Sequence, residues 1–437
     1  MRRERKSTPP RRGGGHSRTP RRVLVACILG LSIIIFCASK STPSTPGRPP
    51  KCTRDQLLKV RAHLDPNKCI SSIRFPYKQK CSITAKTRCP DPGNWLEEHY
   101  ADLQKEYYIE QQTQETNTGH GRSLGRGSPA TSRKDHPFVG MSVGCNKGFD
   151  ALNTLRMGTF DADLSKAAWG EAMNKGDKLH HSVCKQDSTS VFQIDDRLKS
   201  RKGEVHCFEP MPVTAAKLAK SAESLGYDKK GLKVVHGAVS KTAGTALFLS
   251  ANMTSGVENK GLASCDTKHI RKSCEEVQVL TLEGYVNDHV ESDGPIHILQ
   301  IDVEGFDGDV LLGAGDKVLN RVEYLEFEYN WMGSWGKQHL YDMVEMLDDK
   351  DFTCYWAGKR RLWRITGCWM LYFDVHMWSN VACVNRRRVP KLVFKMENVF
   401  QQTLEEEMPI PAHSSEHEIL SIDPATMASQ YLSTAKK

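Results

Sequence analysis

No two cysteines in this 437-residue chain stand in a C-x-x-C pair. That absence leaves a zinc-ribbon or zinc-finger reading without its usual anchor. "HHSVC", His180 to Cys184, offers ligand types but has no clear second half, and a solvated loop is the simpler account. A basic domain is also lacking. The formal charge is +9, but residues 1–22 alone hold nine Arg or Lys against one Glu. What remains is close to neutral, which excludes a nucleic-acid-binding face of the usual kind. Long apolar runs are scarce too. The only uncharged, proline-free stretch of note is Val23 to Ala38, sixteen residues. A bilayer span commonly takes ~17–25.

What is present starts with that stretch. A long basic segment precedes it, and the small-residue site "CASK" after it is only a fair cleavage site. These features favour a retained signal anchor, amino terminus cytosolic and the rest lumenal. Its shortness suits the thin membranes of the early secretory pathway. A cleaved signal peptide and a plastid transit peptide are the rivals. Fourteen cysteines occur, two of them (Cys27 and Cys37) inside the apolar stretch. The other twelve form an even set, suited to disulfides in an oxidising lumen. Asn252 heads the only glycosylation sequon, "NMT".

The expected organisation is a basic tail (1–22), an anchor (23–38), a linker and Cys-containing stem (39–137), a catalytic domain (138–395) and a C-terminal tail (396–437). The linker carries "STPSTPGRPP". The stem holds two helical patterns, "TRDQLLKVRAHL" with a Thr cap and "NWLEEHYADLQKEYYIEQQ". From Phe138 onward strand and helix patterns alternate, which implies a mostly parallel α/β sheet with right-handed crossovers. The last strand-like segments, "TCYWAG", "RLWRIT" and "CWMLYFDVHM", have no helix between them and are expected to close the sheet as an antiparallel edge.

Three constellations carry chemistry. "VGCNKGFDAL" is a strand that ends in G-x-x-x-G and enters a helix, where Gly144 and Gly148 let the backbone approach a ligand. "HCFEP" places Glu209 at the end of the next strand, where a carboxylate suits a ribose cis-diol. The bland alternative is that Glu209 serves the following helix start. "HILQIDVEGFDGDVLLGAG" and "VEYLEFEYN" then set Asp302 and Glu304, and Glu326, Glu328 and Asn330, at or near the ends of adjacent strands. A carboxylate there can take a proton from a hydroxyl or hold that hydroxyl.

In this order, "GCNKGFDA", "HCFEPMP", "GAVS", "TLEGYV", "LQIDVEGFDGDVLLGAGDKVL" and "VEYLEFEYN" resemble the FkbM-type methyltransferases, over about residues 138–375. The resemblance implies a class I methyltransferase (Rossmann-like) fold and S-adenosylmethionine as cofactor. It further implies methyl transfer to an oxygen, often on a sugar or a secondary metabolite. Carried over, Gly144, Asn146, Gly148 and Glu209 bind the cofactor, and Asp302 and Glu304 face the reaction centre. Asp302 is the first choice for the base. No metal is assigned. Three departures stand out. Ser142 replaces an acid common in bacterial members, Gln300 replaces a frequent lysine, and Thr159 to Lys202 is a long insertion.

The acceptor expected is a sugar, a glycan or another hydroxyl-bearing molecule, and the location a type II membrane protein of the Golgi or endoplasmic reticulum. Two rivals remain. One is a non-catalytic lumenal binding protein on the same scaffold. The other is a glycosyltransferase using "DGD", Asp307 to Asp309, although acids at a helix start are common without a metal. "NWMGSWG" and "CYWAG" offer tryptophans for sugar stacking, or for the core.

Overall fold

A computed structural model describes residues 47–64, 136–175, 201–249, 274–291, 293–358, 360–370 and 379–406, with residues 102, 109, 194, 256, 265, 374 and 376. The unit Thr45–Lys437 carries all of them. The expected anchor, the second stem helix (apart from Asp102 and Ile109), "HHSVC" and Asn252 lie outside the described residues. Among the described residues, no helix is long and apolar enough to cross a membrane.

The strands are β1 (Phe138–Val143), β2 (Gly203–Glu209), β3 (Leu232–His236), β4 (Ala238–Val239), β5 (Gly244–Leu249), β6 (Cys274–Leu280), β7 (Ile296–Ile301), β8 (Val322–Tyr329), β9 (Phe352–Gly358), β10 (Arg361–Arg364) and β11 (Ser379–Asn385). The helices are α1 (Arg54–Leu64), α2 (Phe149–Thr159), α3 (Lys166–Asn174), α4 (Pro212–Leu225), α5 (Leu282–His289), α6 (Asp307–Leu319), α7 (Leu340–Asp349) and α8 (Pro390–Glu405). Eight strands form one sheet in the order β10-β9-β11-β8-β7-β1-β2-β3, and β4-β6-β5 form a small second sheet.

The pairs β3–β2, β2–β1, β1–β7 and β7–β8 are parallel. Both faces are covered: all six residues of β1 and all eight of β8 are buried, Glu323, Glu326 and Glu328 of β8 included. From β1 the chain builds outward through β2 and β3, then returns to lay β7 on the other side of β1. The order therefore reverses between β1 and β7, where open α/β sheets form their ligand crevice.

The antiparallel end differs in detail from the sequence expectation. β11 is antiparallel to both β8 and β9 and lies between them, so β9 runs with the parallel set. Only β10, which hairpins on β9, forms the edge. The last strand is "SNVACVN", not the more apolar "CWMLYFDVHM", whose described residues are not in strand. Insertion between two strands buries β11 on every side except at Asn380. Its polar Ser379 and Asn385 are satisfied inside, by the carbonyls of Tyr329 and Lys350.

Both ends of the described chain join this region. Thr53 and Gln56 form a capping box that starts α1: Gln56 N–H donates to Thr53 Oγ1 at 3.2 Å, and Thr53 N–H to Gln56 Oε1 at 2.9 Å. Val60 of α1 is fully buried in the core. Cys52 is disulfide-bonded to Cys368. Arg364, 2 % exposed, donates to Glu397 Oε1 (2.7 Å) and to the Pro50 carbonyl (2.9 Å). The segment read as stem thus contributes an element to the fold. At the other end α8 continues to Glu405, past residue 395, because Met396, Val399, Phe400 and Leu404 repeat at helical spacing on its buried side.

Candidate active site

The glycine turn after β1 is fixed from four directions. Gly144 has φ +84, and a Cβ there would lie 1.8 Å from the Asp302 carbonyl oxygen, so only glycine fits. The N–H groups of Gly144 and Cys145 both donate to the Phe208 carbonyl, at 3.0 and 2.8 Å. A disulfide joins Cys145 in the turn to Cys207 in β2. Gly148, at φ +74, caps α2, and a Cβ there would press within 2.8 Å of both Leu218 and Trp169.

Trp169 comes from α3, inside the insertion Thr159 to Lys202. It is fully buried and donates its indole N–H to the Lys147 carbonyl at 2.8 Å. The described part of the insertion therefore braces the turn. Sequence reasoning missed this residue, and its one signal was a lone Trp at the centre of a short helical pattern.

Glu209 meets that turn. Its Oε2 accepts from the Asn146 N–H and its Oε1 from the Met211 N–H, both at 2.8 Å. The second bond is the helix-start role, since Met211 precedes α4. Each carboxylate oxygen can accept more than one bond, so both can still take a diol. Burial pushes the carboxyl up to about 7, opposed by the two backbone N–H groups.

The acids expected at the ends of β7 and β8 do converge. Asp302 continues the pairing of β7 with β1 by donating its N–H to the Val143 carbonyl at 2.8 Å, and its side chain is exposed. Glu304 follows at φ +55, half-buried. Asp307 is wholly buried and accepts from the N–H groups of Gly305 (3.3 Å) and Glu328 (3.2 Å). Burial raises its carboxyl to about 7.

Glu328, 6 % exposed, is pushed well above the usual carboxylate range by burial, then by the charges of Asp302, Asp307 and Glu304. Asn330 Nδ2 donates to it at 2.6 Å. The group least able to hold a negative charge is thus Glu328, and the acid open to solvent is Asp302. Glu326 stands apart. It accepts from the Tyr324 hydroxyl at 2.7 Å, and burial lifts it to about 7.

Residues 174–354 match the model of the methyltransferase FkbM domain. This segment is similar to that family, and it spans less than half of the chain. No curated protein and no solved structure matches the chain. The matched segment holds Glu209, Asp302, Glu304 and Glu328, while the glycine turn and β1 lie just ahead of it.

The departures from the family pattern find places in the fold. Gln300 is flanked across the sheet by Ser142 of β1 and Glu326 of β8. Its Oε1 accepts from the Thr154 hydroxyl at 3.0 Å. The D-x-D acids are engaged inward: Asp309 accepts from Lys241 Nζ (3.2 Å) and Gln338 Nε2 (2.8 Å), and Asp307 from backbone. Trp335 and Trp356 are fully buried, so they serve the core, and Trp335 donates its indole N–H to the Glu328 carbonyl at 2.9 Å. Trp331 is half-buried.

Proposed function

We propose that this methyltransferase uses S-adenosylmethionine to methylate a hydroxyl of a sugar or glycan in the secretory pathway. The observation that carries the reading is one juxtaposition. Glu209 and the glycine turn are bonded to each other at the ends of β1 and β2, and Gly144 packs directly on Asp302 at the end of β7. A cofactor cradle and an exposed carboxylate therefore adjoin at the point where the strand order reverses.

The donor, when bound, supplies an electrophilic methyl on a sulfonium. The chain's share is alignment and one proton. Gly144, Asn146 and Gly148 shape the cradle, and Glu209 takes the ribose diol. Asp302 would hold the acceptor's hydroxyl and accept its proton beside the bound donor. Glu304 is the alternate base. Burial and the neighbouring acids raise the Glu328 carboxyl, which disfavours a further negative charge beside the proton acceptor.

Four disulfides among the described residues support an oxidising compartment: Cys52–Cys368, Cys145–Cys207, Cys265–Cys274 and Cys354–Cys383. With the basic tail ahead of Val23, they support a type II anchor at residues 23–38 and a lumenal domain. Protease added to sealed microsomes is then expected to spare residues 39–437, and digestion without detergent would remove the lumenal placement.

The deciding assay is incubation of the detergent-purified full chain with methyl-labelled S-adenosylmethionine and a fractionated glycan pool. Label in a glycan is the expected result. Failure to bind the cofactor would leave a non-catalytic scaffold. Manganese-dependent binding of a nucleotide sugar would favour the glycosyltransferase reading, against the inward engagement of Asp307 and Asp309.

A further inference from the structure

A second cluster lies at the same end of the sheet. His339 immediately precedes α7, and Asp374 and His376 stand in the segment before β11, whose Ser379 pairs with Tyr329 of β8. One nitrogen from each histidine and one carboxylate oxygen of Asp374 lie within 4.8 Å of one another. Asp374 is 2 % exposed, and the histidines are half-buried.

The carboxylate is held on both oxygens. His339 Nδ1 donates to Oδ2 at 2.5 Å, while Oδ1 accepts from the Tyr329 hydroxyl and from the Leu340 N–H at 3.3 Å. His376 Nε2 sits 3.2 Å from the Gln338 carbonyl. Donation there fixes one ring proton and leaves the other nitrogen a lone pair. Oriented imidazoles and a carboxylate fixed by outer hydrogen bonds are the usual supports of a metal site.

We infer that His339, Asp374 and His376 bind a divalent cation of the zinc type. Two imidazoles and one carboxylate are a donor set that zinc accepts. Its bonds to such ligands are ~2.0–2.2 Å, so two ligand atoms on one ion stand at most ~4.4 Å apart. Closing the cluster from 4.8 Å needs only small side-chain shifts. The ion takes over the proton-mediated His339–Asp374 contact and ties Asp374 and His376 to the start of α7. Three protein ligands leave a coordination position for water or an acceptor oxygen. The cluster does not include the carboxylates assigned to methyl transfer.

The test uses the full chain in detergent, stripped by a chelator and dialysed, with zinc or cobalt(II) alone as the probe. One tight equivalent of zinc is expected. His376→Gln and His339→Gln should each weaken it by more than the ~10–100-fold that loss of a supporting group costs, with the thermal melt of the apo form little changed. Cobalt(II) should give the visible bands of a tetrahedral nitrogen and oxygen site. No stoichiometric zinc, binding unchanged in both variants, or a thiolate-to-cobalt charge-transfer band would each overturn the site. The cobalt spectrum is read on the unaltered chain, so it decides even if a variant fails to fold. S-adenosylmethionine binding is measured separately, and its loss or retention bears only on the methyltransferase reading.

Discussion

The two halves of the crevice are built on opposite principles. At the ends of β1 and β2, position is set by backbone: two glycines at positive φ, a disulfide between turn and strand, and a carboxylate held by two N–H groups. At the ends of β7 and β8, four acids crowd together, and burial, then the neighbouring charges, raise the carboxyls of Asp307 and Glu328. The first half is tied by backbone hydrogen bonds and a disulfide, and preorganisation of that kind lowers the ordering cost of binding. The second is electrostatically poised, as groups that move protons are. Binding and turnover should therefore separate cleanly when each half is altered.

The largest expected effect is on turnover. Asp302→Asn should lower it by ~10²–10⁴, the usual cost of losing a general base, while S-adenosylmethionine affinity stays within a few-fold. Glu304→Gln is made beside it, because either acid can be the base. Asp309→Asn is the control, since that carboxylate is engaged by Lys241 and Gln338. Activity that survives Asp302→Asn and Glu304→Gln but not Asp309→Asn would place the chemistry on the D-x-D acids instead.

Altering the first half should do the reverse. Measured at pH 8, above the value of about 7 that burial gives its carboxyl, Glu209→Ala removes a charged acceptor worth ~1.5–3 kcal/mol, or roughly one to two orders of magnitude in cofactor affinity. Unchanged affinity in a folded variant would reduce Glu209 to its contact with the Met211 N–H. A smaller change is expected from Cys145→Ala with Cys207→Ala. The Gly144 and Cys145 N–H bonds to Phe208 persist without the disulfide, so affinity should fall by less than tenfold while the melting temperature drops. A loss larger than that of Glu209→Ala would mean that the disulfide, not the backbone, positions the turn.

The contrast between the halves also explains what was legible in the sequence. β1 and β7 announce themselves because strands covered on both faces are mostly apolar, while β2 and β8 show a strand pattern that also carries glutamates; their ends then mark the crevice. The places of Gly144, Glu209 and Asp302 at or just after strand ends follow from the strand pattern alone. β11 was hidden because its serine and asparagines look like loop, and only insertion between β8 and β9 gives them partners. Trp169 was hidden in an insertion whose contact with Lys147 is tertiary. The upward shifts of the Asp307 and Glu328 carboxyls depend on burial and distance, which spacing along the chain does not carry. The pairing of Cys52 with Cys368 is equally invisible, since nothing local brings residues so far apart in sequence together.

The smallest expected effect is on stability as pH changes, and its sign follows from the buried acids. Glu209 and Glu326 sit at about 7 in the fold against 4.5 for a free side chain, and Asp307 at about 7 against 3.8. Between those values the unfolded chain binds fewer protons than the folded one, so stability falls as pH rises. The loss starts near pH 4 and is complete just above 7 for these three. Glu328, raised further, extends the same trend upward. Glu204 acts oppositely: its hydrogen bond from His206 holds it down at about 2, so its contribution is lost only as pH falls below ~4.5 toward 2. Melting temperatures in buffers of matched ionic strength should therefore be higher at pH 5 than at pH 8. Glu326→Gln, which keeps an acceptor for the Tyr324 hydroxyl and lies outside the cradle, should shrink that difference. A melting temperature that rises from pH 5 to 7 would mean that these carboxyls are already ionised in the fold, and that the acids at the ends of β7 and β8 are not poised as described.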